Sequence, residues 1–263
     1  MNNFHLQHRL WIGLFLVLFG AGCAQTPVRM DPDFASAKQT VKKVVVLTPD
    51  VLYQLIVLTG ENERQPEKEK SARADLEKKL PKLLEARGYE VRRFDLEVAK
   101  TKLKDADFTV EQVKSAYRAA SSQLYERAMV SEEDSQQFRV SIGPVGGALA
   151  EALDADAFLF TRFDGFERSS GLIAKDIAAG VLVGVLTGVA HVPAPNGGSM
   201  EMALVNAVNG NVLWANRGGW ANRGEPNAQF MLEKLPRQGM PSAGKKEVPK
   251  DTETKKPEEV VNR

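Results

Sequence analysis

The sequence has few of the residues that build disulfides, zinc sites and histidine-dependent active sites. Cys23 is the only cysteine, and there are three histidines among 263 residues. A single cysteine excludes an intramolecular disulfide, and zinc needs a cluster of His and Cys ligands that this chain cannot supply. We therefore expect no metal and no cofactor. His5 and His8 lie in the amino-terminal segment that is expected to be removed, as described below, so a Ser-His-Asp triad would have to use His191. His191 lies in an apolar Gly/Pro stretch and is more simply a packing or surface residue.

An excess of charge of either sign is also missing. The chain has 35 Lys and Arg residues against 34 Asp and Glu residues, and its formal net charge is +1. A balanced chain has no long-range attraction for polyanions, and nucleic-acid binding requires a clustered basic face. We expect no nucleic-acid partner. The length allows one domain of moderate size with tails.

The amino terminus has the layout of a secretory signal. Arg9 is the only fixed positive side chain among the first 22 residues, and an apolar run over residues 10–19 follows it. The small residues 20–22 then precede Cys23. The apolar run is shorter than the about 20 residues that a membrane span needs. The pattern predicts a signal peptide over residues 1–22.

Residues 18–23 resemble the lipobox of bacterial lipoproteins, with Gly20 at the position where that family usually has leucine. The resemblance implies cleavage before Cys23 and attachment of lipid, including palmitate, to that cysteine. Ala24 stands where an aspartate would retain such a protein in the inner membrane, which implies the periplasmic face of the outer membrane. The alternatives are an ordinary signal peptide with a chance cysteine, or an uncleaved anchor.

Composition divides the rest of the chain into three parts. Residues 23–42 are polar, contain two prolines and are expected to form a tether between the lipid and the domain. Residues 43–235 form the expected domain. Residues 236–263 are charged and contain four prolines, which predicts a disordered tail.

Hydrophobic periodicity predicts an α/β fold for the domain, with α+β as the alternative. Gly88 is the expected left-handed cap of one helix, Pro81 should bend or interrupt that helix, and Thr109 with Gln112 suggests a capping box on another. A single mixed sheet with flanking helices should end in a hairpin turning at Asn209-Gly210. The strands are expected at 43–48, 51–58, 89–94, 157–163, 200–208 and 211–216, and the helices at 69–87, 109–129, 145–153 and 229–235.

Two segments carry a resemblance to a known group of proteins. Residues 153–156 read Leu-Asp-Ala-Asp before a strand, and residues 206–214 read Asn-Ala-Val-Asn-Gly-Asn-Val-Leu-Trp. The latter is similar to hairpins of the form Asp-x-x-Thr-Gly-x-x-Leu-Trp, with Asn206 and Asn209 in place of Asp and Thr. Such hairpins occur in envelope lipoproteins related to the TolB amino-terminal domain, including penicillin-binding-protein activators and the curli secretion lipoprotein. The resemblance covers roughly residues 43–235 and implies a small α/β domain in the cell envelope.

The most unusual segment is an apolar, glycine-rich insertion over residues 171–198. It has no fixed charge between residues 177 and 192, and Gly180, Gly184 and Gly188 recur every four residues. On a helix these glycines lie on one face and allow another backbone to approach closely. Three interpretations remain open: a helix packed on the domain's own sheet, an exposed surface for self-association or a partner, or a segment that dips into a membrane.

Three further groups of residues are candidates for a site. Trp214 and Trp220, near Arg217 and Arg223, suit either hairpin packing or contact with a partner or glycan. Residues 143–147 are glycine-rich before a helix but lack the ending of a phosphate-binding P-loop, so a simple helix start is expected. The carboxylates Asp154, Asp156 and Asp164 lie near strand ends, where turns and capping explain them as well as glycan hydrolysis does.

These observations predict a non-enzymatic, lipid-anchored periplasmic protein that works by binding. It would act as an accessory or scaffold in envelope assembly, because an anchor raises its effective concentration near membrane partners. Two alternatives remain: an oligomeric secretion component of the outer membrane, and a hydrolase of cell-wall glycan. The expected contacts are the membrane, through lipid on Cys23, and an envelope protein or a second copy of the chain.

Overall fold

A computed structural model of the chain describes residues 25–187, 193–221 and 227–238. Within these ranges seven α-helices flank a large mixed sheet, and the fold class is therefore confirmed as mixed α/β. The signal peptide, Cys23, His191 and the tail beyond residue 238 lie outside the described residues.

The bounds of the elements follow the chain. The strands are β1 Gln25–Thr26, β2 Arg29–Met30, β3 Lys43–Val46, β4 Asp50–Ile56, β5 Glu63–Arg64, β6 Glu90–Arg93, β7 Val130–Ser131, β8 Ala157–Arg168, β9 Asn196–Asn206 and β10 Val212–Ala221. The helices are α1 Pro32–Ala35, α2 Pro66–Glu85, α3 Leu96–Lys102, α4 Ala106–Leu124, α5 Gly147–Leu153, α6 Ser170–Thr187 and α7 Ala228–Leu232.

The long strand β8 organises the sheet. On one side β3 and then β4 run parallel to successive halves of β8, because Pro49 interrupts what would otherwise be one strand. β6 lies parallel to β3 beyond them. On the other side β9, β10 and β2 follow in antiparallel order. The chain therefore crosses over from β3 through α2 to the parallel strand β6.

The sheet is covered on both faces, which gives three layers. α2 and α7 pack on one face, where Leu80, Leu84 and Trp214 are fully buried. α3, α4 and α5 lie on the other face, around Val113, Leu149 and Phe158. Alternating strand residues supply the two cores, since successive side chains of a strand point to opposite faces.

The helix α2 confirms one prediction from the sequence and contradicts another. Gly88 adopts a φ of 91° just after the helix, as the predicted left-handed cap requires. Pro81, however, lies inside an uninterrupted helix, so the expected interruption is wrong. Leu80 and Leu84 are fully buried on either side of it. Their burial is enough to offset the about 3 kcal/mol that an interior proline costs.

The start of α4 also differs from the prediction. The helix begins at Ala106, three residues before Thr109, whose hydroxyl donates a hydrogen bond to the carbonyl of Asp105. Thr109 therefore lies within the first turn and does not form the predicted capping box. Ala106 is completely buried, which explains why the helix extends back to include it.

The amino-terminal segment is part of the domain and is not a free tether. β2 pairs with β10, and Met30 and Phe34 are buried in the core beneath α2 and α7. The expectation of a tether over residues 23–42 is therefore wrong for residues 25–42. Because the segment is mostly polar, its composition did not indicate that a few apolar side chains pack into the core next to β10.

The carboxyl-terminal hairpin of β9 and β10 forms as predicted, and Gly210 has a φ of 74° in its turn. The segment that follows is ordered further than expected. Tyr89 donates a hydrogen bond to the carbonyl of Pro236 at 2.8 Å, and the amide of Gln238 donates to the carbonyl of Arg87 at 3.0 Å. The predicted tail therefore does not begin at residue 236.

Candidate functional site

The predicted insertion over residues 171–198 contains the helix α6 and the first residues of β9. The base of α6 is fixed to the sheet. Arg168 forms an ion pair with Asp176 at 2.9 Å, and the amide of Ser169 donates to the carbonyl of Ile56. The helix therefore leaves the end of β8 with a defined start.

Beyond Asp176, apolar side chains of α6 are exposed. Ile177, Val181 and Val185 are 47%, 57% and 79% exposed. Their spacing of four residues places them along one face of the helix, where they form what we call the α6 stripe. Within the described residues, we find no helix long and apolar enough to span a bilayer.

The three glycines of the insertion differ in their positions in the structure. Gly180 is buried although its neighbour Val181 is exposed, and Gly184 lies further along α6. Gly188 lies outside the described residues. A spacing of four puts Gly180 and Gly184 on one helix face, which is not the face of the α6 stripe.

The amino end of the short strand β2 faces the end of the sheet that carries α6. Along β10, residues 214 to 221 run toward the level of Gly197 and Phe166, where β8 passes into α6. β2 is antiparallel to β10, and before it the chain leaves this sheet, since β1 pairs with β7. Only Ala24 separates Cys23 from β1, and two residues span at most about 7 Å.

The two tryptophans occupy different positions. Trp214 is fully buried in the core between the sheet and α2, so the predicted partner contact is wrong for this residue. It lies at the start of β10 and is the largest of the fully buried side chains that the structure describes. Trp220 is partly buried and stacks on Phe163 with 5.0 Å between ring centroids. Hairpin packing thus accounts for both rings.

The candidate carboxylates have structural partners. Asp156 accepts hydrogen bonds from the amides of Lys42 and Lys43, at 2.9 and 2.8 Å. Asp154 binds the ammonium group of Lys43, which lowers the pKa of that carboxyl. A general acid in glycan hydrolysis needs the opposite shift. Asp164 forms an ion pair with Arg162 on its own strand.

The glycine-rich residues 143–147 form a turn, a short 3-10 helix and the start of α5. The carbonyl oxygen of Gly143 occupies the space that a Cβ at Gly210 would need, so the close approach of these two turns requires glycine at position 210. In the part of the chain that the structure describes, we find no group of His, Cys, Asp and Glu side chains suited to a metal ion.

A row of alternating charges crosses four strands on the α3–α5 face of the sheet, and sequence reasoning missed it. Asp50 on β4 lies opposite Arg162 on β8, Arg162 opposite Glu201 on β9, and Glu201 opposite Arg217 on β10. We call these four residues the charged row. The available signal was a charged residue within each of the apolar runs 157–163 and 200–205.

Glu201 is the buried centre of the charged row. The hydroxyl of Tyr117 donates a hydrogen bond to one carboxylate oxygen at 2.6 Å, and Arg217 donates to the other. Arg217 also donates to the hydroxyl of Ser121 on α4 at 3.1 Å. Burial, together with the charge of Glu201, raises the pKa of Tyr117 well above its ordinary value. Tyr117 is thus held as a neutral hydrogen-bond donor.

Comparisons with known proteins give weak likenesses. No protein-family model matches the chain, and no curated protein matches it. Its structure is similar to that of the PelC dodecamer from Paraburkholderia phytofirmans (TM-score 0.30, 13% identity, 76% of this chain and 84% of that one). For the lipoprotein GNA1162 from Neisseria meningitidis the TM-score is 0.30 and the identity 14%, over 72% of this chain and 86% of that one. For the LpoB C-terminal domain from Salmonella enterica the TM-score is 0.24 and the identity 11%, over 73% of this chain and 96% of that one. Likenesses at this level establish neither a family nor a function.

Proposed function

We propose that the chain is a lipid-anchored protein of the bacterial cell envelope that works by binding another protein and not by catalysis. The α6 stripe is its contact surface. The observation that carries the proposal is the exposure of Ile177, Val181 and Val185 on a helix fixed to the sheet at its base. Exposed apolar surface of this kind costs free energy in water and marks an interaction site.

The anchor adds a second argument. With lipid on Cys23 and one residue before β1, the domain is held against the periplasmic face of the outer membrane. The short distance between Cys23 and β1 keeps the whole domain, and with it the α6 stripe, close to the membrane. Confinement to this thin layer raises the effective concentration of the stripe near membrane-bound partners. Such a module suits an accessory or scaffold role in envelope assembly.

Photo-crosslinking tests the contact surface. A photoreactive amino acid at Val181 is expected to give a protein adduct in intact envelopes. The matched control is Val208, which is 64% exposed in the β9–β10 turn at the opposite end of the sheet. An adduct with a second copy of the chain would favour the oligomeric secretion component. Equal adducts from both positions, or none from Val181, would contradict the proposal.

A further inference from the structure

The charged row forms the floor of a cleft that the proposed function does not use. α4 lies above the row, with Lys114 and Arg118 on the side facing β4. The cleft between helix and sheet has a volume of about 100 Å³. It has room for a few water molecules but is smaller than the about 300 Å³ at which pockets for whole small-molecule ligands begin. A single small group fits it.

Cations outnumber carboxylates at this cleft. Four positive side chains, Lys114, Arg118, Arg162 and Arg217, line it together with two carboxylates, Asp50 and Glu201. Asp164 and Glu111, the ion-pair partners of Arg162 and Arg118, lie outside this lining and bring the wider sum to zero. The lining itself has two more cations than carboxylates, so a group that fills the cleft is expected to be an anion.

The carboxylates are already occupied by other partners. Asp50 binds Lys114 at 2.8 Å, and both oxygens of Glu201 accept hydrogen bonds. Arg162 lies between these two carboxylates in the charged row, yet its ion pair is with Asp164. The Arg162 side chain is 56% exposed. The Arg118 side chain, which pairs with Asp50 at 3.6 Å and Glu111 at 3.7 Å, is 50% exposed. Both retain donors for an incoming ligand.

We propose that this cleft binds a phosphate group, and this inference depends neither on the lipid anchor nor on α6. Arginine side chains from three elements, α4, β8 and β10, line the cleft. Guanidinium groups make paired hydrogen bonds to phosphate oxygens, and phosphate offers more acceptor oxygens than a carboxylate does. The hydroxyl groups of Ser121 and Ser122 line the same cleft.

Isothermal titration calorimetry on the full chain tests this proposal, with inorganic phosphate as the probe at constant ionic strength. Saturable binding is expected, and Arg162→Gln or Arg118→Gln should weaken it about tenfold, because each removes a charge-assisted hydrogen bond. The matched control is Arg93→Gln, an exposed arginine on the distant strand β6, which should leave the affinity unchanged.

Three outcomes would overturn the proposal: no saturable binding of phosphate, equal affinity in Arg162→Gln and the unaltered chain, or tighter binding of acetate than of phosphate. Two further probes separate the sources of the group. Soluble glycerol phosphate should compete if the natural ligand is a free phosphate ester. Phosphatidylglycerol vesicles should compete more strongly, at equal phosphate concentration, if it is a lipid headgroup. Competition by either supports the site.

Discussion

Arg29 is a buried cation that joins the amino-terminal segment to the end of α4. It is 1% exposed, and its guanidinium donates hydrogen bonds to the carbonyl groups of Leu124 at 2.9 Å and Arg127 at 2.5 Å. The same group lies over the rings of Tyr125 and Phe138. Burial lowers the pKa of Arg29, Tyr125 acts in the opposite direction, and the charge of Arg217 lowers the pKa further.

Replacement of Arg29 is expected to be costly. Arg29→Ala leaves several buried carbonyl groups without a donor, so the free energy of unfolding should fall by at least about 3 kcal/mol. Arg29→Lys should recover little, because one ammonium group cannot reproduce the planar fork. Urea unfolding measures both changes. The control Arg93→Ala should stay within about 0.5 kcal/mol, and a similarly small effect for Arg29→Ala would refute this account.

Glu69 gives a pH-dependent contribution to stability. Arg64 donates two hydrogen bonds to its carboxylate, and these lower the pKa of Glu69. A carboxyl group with a lowered folded pKa stabilises the fold above its unfolded pKa of about 4.3, and this stabilisation is lost as pH falls through the folded pKa.

Glu69→Gln should therefore lower the free energy of unfolding at pH 7, by no more than about 1 kcal/mol because Arg64 is exposed. The difference between the two chains should shrink below pH about 4.3. Urea unfolding between pH 3 and 7 tests this. A difference that is constant, or grows toward low pH, would show that the ion pair is not its source.

Single residues were predictable where local backbone geometry decides them. Gly88 and Gly210 take positive φ values at the ends of a helix and a strand, and the sequence pattern alone indicates both positions. Trp214 was not predictable in the same way. Whether a hairpin tryptophan faces solvent or the core depends on what covers the hairpin, and here α2 and the residues around Phe34 cover it.

At the scale of elements, the segment before β3 should contribute to stability. Phe34 is buried against the core between α2 and β10, so Phe34→Ala should lower the free energy of unfolding by about 3–5 kcal/mol. The exposed Phe108 on α4, which is 65% exposed, provides the control, and Phe108→Ala should cost less than about 1 kcal/mol. Equal, small effects would restore the interpretation of this segment as a tether.

Substitutions on the exposed face of the helix α6 should, in contrast, have little effect on the free energy of unfolding. Val185→Ser changes a side chain that is 79% exposed, so the free energy of unfolding should change by less than about 0.5 kcal/mol. Leu80→Ala in α2 should cost about 2–5 kcal/mol. Thermal unfolding of both variants measures the contrast. A large loss in Val185→Ser would mean that the α6 stripe serves the core and not a partner.

Elements with a clear hydrophobic period were predicted, including β3, β4, β6 and the helix α2. The strands β8, β9 and β10 were predicted too short, because each continues by four or five residues next to the ends of α6, where the apolar pattern stops. The two-residue strands β1 and β2 form only because β7 and β10 offer free edges to them. No local pattern contains that information.

At the scale of the whole molecule, the described residues form two separate candidate binding surfaces. The α6 stripe lies on the helix that follows β8, and the cleft over the charged row lies in the middle of the α3–α5 face. The first was indicated by sequence because it is continuous along the chain. The second brings together residues from α4 and four strands that lie far apart in sequence, so only the tertiary structure reveals it.

Incorporation of radiolabelled palmitate tests the central claim, that lipid on Cys23 holds this domain at the membrane. The unaltered chain should take up the label and remain with the outer-membrane fraction. Cys23→Ser should take up none and appear in the soluble periplasmic fraction. Equal labelling of the two chains, or no labelling of the unaltered one, would contradict the account.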